Sequence, residues 1–177
     1  MQQKYLTDLF LLSGDDNVTR YYNIKTFLKP EDGQIYLDWF RNRFTERAGI
    51  RWGIRLKGKK NLIGTIGYNN FTENHRANLG YDLRSAFWNN GYMAEAAEAV
   101  ITFGFNYLKI NKIEAEVIPG NSQSERLLLK LGFTNEGCLK AWIYGDNRHF
   151  DMSMFSLLKK EWLSKAQSVP DTIKKSR

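Results

Sequence analysis

LGYDLRSAFWNNGYMAEAAEAVITFGFNYL, residues 79–108, changes its hydrophobic period once, and that change decides the fold. Leu79, Tyr81 and Leu83 alternate with small or polar residues, the two-residue period of a strand. From Met93 onward, Ala96, Ala97, Val100, Ile101, Phe105 and Leu108 recur at three- and four-residue spacing, an apolar stripe down one helix face. The turn between the two holds Asn89, Asn90 and Gly91. Glu95 falls in the first helical turn, where a carboxylate favours the positive end of the helix dipole.

Backbone N–H groups at such a helix start have no partner inside the helix. Over residues 89–94 they point into the turn and form a cradle for a phosphate or pyrophosphate. Gly91 presents no side chain to block a ligand and tolerates backbone angles that other residues avoid. An ordinary strand-to-helix connection with a turn glycine carries the same local signal.

A chain of 177 residues is long enough to bury a real core as one domain. With 42% hydrophobic and 14% aromatic residues it reads as globular. Its longest apolar runs are too short to cross a bilayer, and no signal peptide is visible. The one cysteine, Cys138, excludes an internal disulfide, which fits a cytoplasmic protein, and it reads as inert packing. One cysteine and two histidines, His75 and His149, argue against a metal site. The net charge is +7. Six basic residues against Glu161 and Asp171 put +4 of it after Leu158. A basic tail can touch nucleic acid, but a solvated, frayed terminus explains it more simply.

In order, the chain reads as a helix over residues 1–12, ended by Ser13 and Gly14, and a second helix after Pro30. Strands follow at residues 50–56, 62–68 and 79–83, with a polar loop at 69–76 before the last. After the central helix comes a strand at 113–118, on which Glu114 and Glu116 share one face. Residues 122–131 form a short helix closed by Gly132. Two final strands, near 137–144 and 150–157, are joined by a hairpin turn at 145–148. This gives one domain over residues 1–162 and a basic tail over 163–177.

With these surroundings, the opening stretch resembles the acyl-CoA-binding motif of the GNAT N-acetyltransferases, nearest the RimJ/RimL-like subgroup that acetylates ribosomal-protein N-termini. The resemblance rests on LIGTIGY (62–68), LGYDL (79–83), FWNNGYMAEA (87–96), KIEAEVIPGNSQSERLLLKLGF (112–133), EGCLK (136–140) and FDMSMFSLLKKEW (150–162). It implies an α+β GNAT fold: a mostly antiparallel mixed sheet, flanked by helices, with a V-shaped split at the CoA site. Relatives commonly carry Gly-x-Gly in the turn, where this chain has Asn89 in place of the first glycine; Asn also tolerates unusual backbone angles. Relatives also carry a strand before the first helix, which is missing here. A sheet edge left uncovered near residues 50–56 suits pairing with a second copy, so a homodimer is expected.

The resemblance implies acetyl-CoA as cofactor and an amine acceptor, either a protein N-terminus or a small amine such as a polyamine. A CoA-binding protein without turnover is the alternative from another class. The pyrophosphate is expected on Asn89, Asn90, Gly91, Tyr92, Met93 and Ala94, with the backbone of Leu83 and Arg84 holding the pantetheine and polarising the carbonyl. Many relatives use a tyrosine as leaving-group acid where this chain has Leu128. The subgroup instead has Asn-x-x-Ser, matched by Asn121, for the pantetheine amide, and Ser124, for the sulfur. Ser124 reads equally as the cap of its helix. Asp82 and Glu116 are the candidate bases. Asp151 either anchors a substrate amine or fixes the hairpin. Tyr21, Tyr22, Trp39 and Phe40 either line the acceptor site or pack in the core.

Overall fold

The two periods of residues 79–108 become a strand and a helix in the computed structural model, which describes residues 1–21, 26–145 and 147–167. After a 3₁₀ turn at Gln3–Tyr5 come α1 (Leu6–Ser13), α2 (Asp16–Thr19) and α3 (Asp32–Thr45). The strands β1 (Ile50–Ile54), β2 (Gly64–Thr72) and β3 (Arg76–Leu83) lead to α4 (Tyr92–Asn106). Then follow β4 (Lys112–Val117), α5 (Ser122–Leu131), β5 (Thr134–Gly145), β6 (Arg148–Leu158) and α6 (Lys159–Gln167).

The sheet has the order β1-β2-β3-β4-β6-β5, and its pairs are antiparallel except β3 with β4. That parallel pair holds only from Arg76 opposite Lys112 to Asn78 opposite Glu114. Beyond it β3 runs on to Leu83 and β4 to Val117 without pairing, so the sheet splits between them. This is the expected V, in an α+β architecture.

Two apolar layers hold the sheet. On one face the stripe of α4 (Ala97, Ile101, Phe105) and Leu128 of α5 bury against Ile113 and Ala115. On the other, Leu9 of α1 packs with Leu37 and Phe40 of α3. Gly104 lets α4 approach closely: a Cβ there would lie 2.2 Å from the Tyr68 hydroxyl, which donates to Val100 O at 2.8 Å.

The structure moves several expected boundaries. Strand β2 runs to Thr72 and β3 starts at Arg76, so the loop expected over 69–76 shrinks to a turn. Its polar residues form strand because partners lie opposite: Asn69 Nδ2 donates to Asn78 Oδ1 at 2.8 Å. Past Trp162 the chain continues in α6, where Trp162 packs against the core and Lys165 Nζ donates to Lys130 O at 2.9 Å. The tail expected from residue 163 is thus helical to Gln167, and the rest lies outside the described residues. Among the described residues β1 is the first strand, and it forms one edge of the sheet. No helix among them is long and apolar enough to cross a membrane.

Candidate active site

The turn from β3 to α4 is held open by backbone conformation and side-chain ties. Asn89 (φ 61°) and Gly91 (φ 80°) are both left-handed, which Asn and Gly tolerate best. Trp88 Nε1 donates to Leu83 O and Asn90 Nδ2 to Trp88 O, each at 2.7 Å, so the turn folds back on the end of the strand. Gly91 stands immediately before α4, and no side chain caps that helix. The amides of Tyr92, Met93 and Ala94 therefore face the turn with the positive end of the helix dipole behind them. A Cβ on Gly91 would meet nothing within 4 Å, so open space lies above the cradle. An anion of phosphate size fits there.

A second tie comes from Asp15, the N-cap of α2. Asp15 Oδ2 accepts from the Ser85 amide at 3.2 Å and from its hydroxyl at 2.5 Å. Partial burial pushes the Asp15 carboxyl up, but these bonds and those from Asn17 outweigh it and leave it below its ordinary value.

From the turn a cavity of about 540 Å³ extends into the split between β3 and β4. Asn89, Gly91, Tyr92, Met93 and Ala94 line its mouth, and Tyr81, Glu116, Asn121 and Ser124 line its walls. The Arg84 amide donates to Ile63 O at 2.9 Å, which turns the backbone groups of Asp82 and Arg84 toward β2. By alternation, those of Tyr81 and Leu83 turn toward the gap that β4 has left. Of the two amides expected to act together, the Leu83 amide faces the gap and the Arg84 amide is consumed in the sheet.

At the start of α5 the side chain of Asn121, and not Ser124, is the cap: Asn121 Oδ1 accepts from Ser124 N at 3.2 Å. The Ser124 hydroxyl instead lies 2.5 Å from the hydroxyl of Tyr81, on β3. Leu128 is fully buried in the core.

The two candidate bases have different surroundings. Asp82 is buried: its Oδ2 accepts from Arg51 Nη2 at 2.7 Å and its Oδ1 from the amide and hydroxyl of Thr65 at 3.0 and 2.7 Å. Glu116 is half-buried, and its Oε1 accepts from Asn78 Nδ2 at 3.1 Å. Burial raises its carboxyl above the ordinary value; a hydrogen bond from Trp142 opposes this and the Glu114 charge adds to it.

Other expected residues separate. Tyr21 lines the cavity, whereas Phe40 lies in the core beneath the Arg51 guanidinium and Trp39 is exposed. Tyr22 lies outside the described residues. Asp151 accepts from Ala141 N at 2.8 Å and Lys140 Nζ at 2.9 Å, so it fixes the hairpin where β5 bulges. Cys138 is exposed on β5, not packed as expected, in a run of exposed residues from Thr134 to Trp142.

Sequence reasoning missed Arg51, Trp142 and Tyr81. Tyr81 carried a usable signal. It shares the helix-facing side of its strand with Leu79 and Leu83, and a hydroxyl on a buried face must find a partner.

The acetyltransferase (GNAT) domain family matches residues 1–134. The N-acetyltransferase YoaA of Bacillus subtilis is 36% identical over 152 residues, covering 85% of this chain and 86% of that protein. The [ribosomal protein uS5]-alanine N-acetyltransferase of Escherichia coli is 27% identical over 135 residues, covering 75% of this chain and 70% of its own length. The spermidine N-acetyltransferase of Vibrio cholerae, solved with CoA and spermine, superposes with a TM-score of 0.76 over 92% of this chain and 95% of its own, at 19% identity. A family match over most of the chain, a relative of this similarity and the split sheet agree: the protein belongs to the GNAT acetyltransferases and is an N-acetyltransferase enzyme.

Proposed function

We propose that the chain transfers the acetyl group of acetyl-CoA to the α-amine of a peptide or protein N-terminus. Bound acetyl-CoA supplies an acetyl thioester. The amides of Tyr92, Met93 and Ala94 would receive its pyrophosphate at the turn shaped by Asn89, Asn90 and Gly91. The Leu83 amide, which faces the gap, would donate to the thioester carbonyl, where charge develops. Asn121 would hold the pantetheine amide, and the Ser124 hydroxyl would serve the sulfur; both line the cavity. Glu116 takes the proton of the amine. Asp82 holds its strand through Arg51, so the base role passes to Glu116 alone.

The observation that carries the choice of acceptor is the charge of the cleft. Among the described lining residues the carboxylates are Asp82 and Glu116, and Arg51 neutralises the first. A polyamine brings further ammonium groups that such a wall does not match. An α-amine, with a pKa of about 8, also needs less help than an alkyl amine near 10.4; the gap is worth about 3 kcal/mol of deprotonation. One half-buried glutamate suits the easier task. The E. coli relative, named for a ribosomal-protein alanine, supports the same reading.

The test is CoA release in a panel of peptides with free and formylated N-termini, beside spermidine and small amines. Free-terminus peptides should be the fastest acceptors and formylation should abolish the signal. Faster turnover of spermidine, or of a formylated peptide bearing lysine, overturns the assignment.

A homodimer through the outer edge of β1 belongs to the same proposal. A strictly monomeric mass by light scattering at high concentration rules it out.

A further inference from the structure

Tyr81 and Ser124, 43 residues apart in the chain, meet across the wall of the cavity with their hydroxyl oxygens 2.5 Å apart. The tyrosine ring packs against the core, so the hydroxyl is the part presented to the serine. Burial pushes the phenol up to about 12, with the Ser124 bond lowering it, so Tyr81 stays protonated in the neutral range. A phenol is a far stronger acid than an alkyl hydroxyl. Either hydroxyl could donate across that distance, and the stronger acid favours the tyrosine as donor and the serine oxygen as acceptor. A serine that accepts there must aim its own hydrogen elsewhere. Its amide is held by Asn121 Oδ1, which fixes the first turn of α5 and the point from which the side chain departs. Ser124 lines the cavity, which is open to that hydrogen.

We propose that Tyr81 is a positioning residue: by donating to Ser124 Oγ it locks the serine rotor so that the Ser124 hydrogen faces the leaving sulfur. The inference rests on the reading of Ser124 given above. In the transfer the amine nitrogen bonds to the acyl carbon, the carbon–sulfur bond breaks, and its electron pair stays on sulfur. The amine proton goes to Glu116, which releases it to water, and the thiolate takes its proton from water, so no net proton is gained or lost. Ser124 lends a hydrogen bond to the sulfur and keeps its proton, as does Tyr81. A free hydroxyl is spread over three staggered wells. A donor already aimed needs no reorganisation when the charge appears.

Tyr81→Phe removes the hydroxyl and keeps the ring. It should lower kcat about tenfold and leave the KM for acetyl-CoA within about twofold. In a Ser124→Ala background it should cause no further fall in kcat, because no rotor remains to be held. A tyrosine that only stabilises the fold would lower Tm in both backgrounds and leave kcat alone. That result, or losses that multiply in the double variant, overturns the proposal. If Ser124→Ala leaves kcat unchanged, the reading of Ser124 fails and this inference with it. If Ser124→Ala is slow and Tyr81→Phe keeps full kcat, only the role of Tyr81 fails. Any amine the enzyme acetylates serves as acceptor, so failure of the peptide assignment leaves the cycle measurable.

Discussion

Arg51 Nη2 and Asp82 Oδ2 lie 2.7 Å apart with side chains only 6% and 8% exposed, a buried ion pair that joins β1 to β3 across β2. The guanidinium also donates to Thr65 Oγ1 at 2.8 Å and sits over the Phe40 ring, so the pair ties the sheet to the α1–α3 layer.

Breaking that pair strands a buried charge. Asp82→Ala should cost about 3–5 kcal/mol, read as a lower urea midpoint at neutral pH. The folded fraction should keep the acid limb of its pH–rate profile. Loss of that limb at unchanged stability would return Asp82 to the chemistry.

Glu116→Gln should move activity and stability in opposite directions. The carboxyl is raised in the folded state, so its contribution to stability is full at low pH and is lost as pH rises through the folded value. At neutral pH the ionised glutamate therefore costs stability, and Gln should raise Tm there and flatten its dependence on pH. The same change should lower kcat/KM about 10²-fold or more. It should also remove the acid limb, which lies above the ordinary glutamate range.

Gly91→Val tests the cradle. A left-handed residue with a β-branched side chain costs about 1–3 kcal/mol, so the ligand-free Tm should fall. The larger effect should be on binding. Acetyl-CoA at about a hundred times Kd adds about 2.7 kcal/mol to the wild type, and this gain should vanish in the variant. Asn89→Gly should keep it, since glycine adopts the same backbone angles freely. A full ligand-induced shift in Gly91→Val removes the pyrophosphate from this turn.

Asn121 and Ser124 divide between them what the sequence let one residue do. Asn121→Ala removes the cap of α5 and should cost about 1 kcal/mol. Ser124→Ala takes a partner from the Tyr81 hydroxyl and should lower Tm modestly, but its main effect should be on kcat, a fall of about 10²-fold, the loss typical of one aimed donor. Calorimetry with steady-state rates separates them. A destabilised but fully active Ser124→Ala would make it a structural residue.

Residues 79–108 determined their own structure, because every signal in them acts over a few positions. The change of period at Met93, the left-handed tolerance of Asn89 and Gly91 and the carboxylate of Glu95 all favour one strand, one turn and one helix. Gly132 likewise closes its helix where the sequence put it, in a left-handed conformation. The order of such blocks was enough to identify the family. Residues 69–76 show the opposite case: a polar run reads as loop until a partner strand supplies Asn78 for Asn69 to bond.

What each polar side chain does was decided only in three dimensions. Asp82 and Glu116 are both strand carboxylates beside small or apolar neighbours, and nothing local distinguishes them. Arg51, 31 residues earlier, fixes the first as a structural anion, while the widening gap beyond Asn78 and Glu114 leaves the second half-buried with a raised carboxyl. Ser124 was equally ambiguous until Asn121 took the capping bond and Tyr81 arrived from the neighbouring strand. Backbone conformation follows from short-range sterics and hydrogen bonding. The charge and aim of a side chain depend on groups that only the packed sheet brings within about 3 Å.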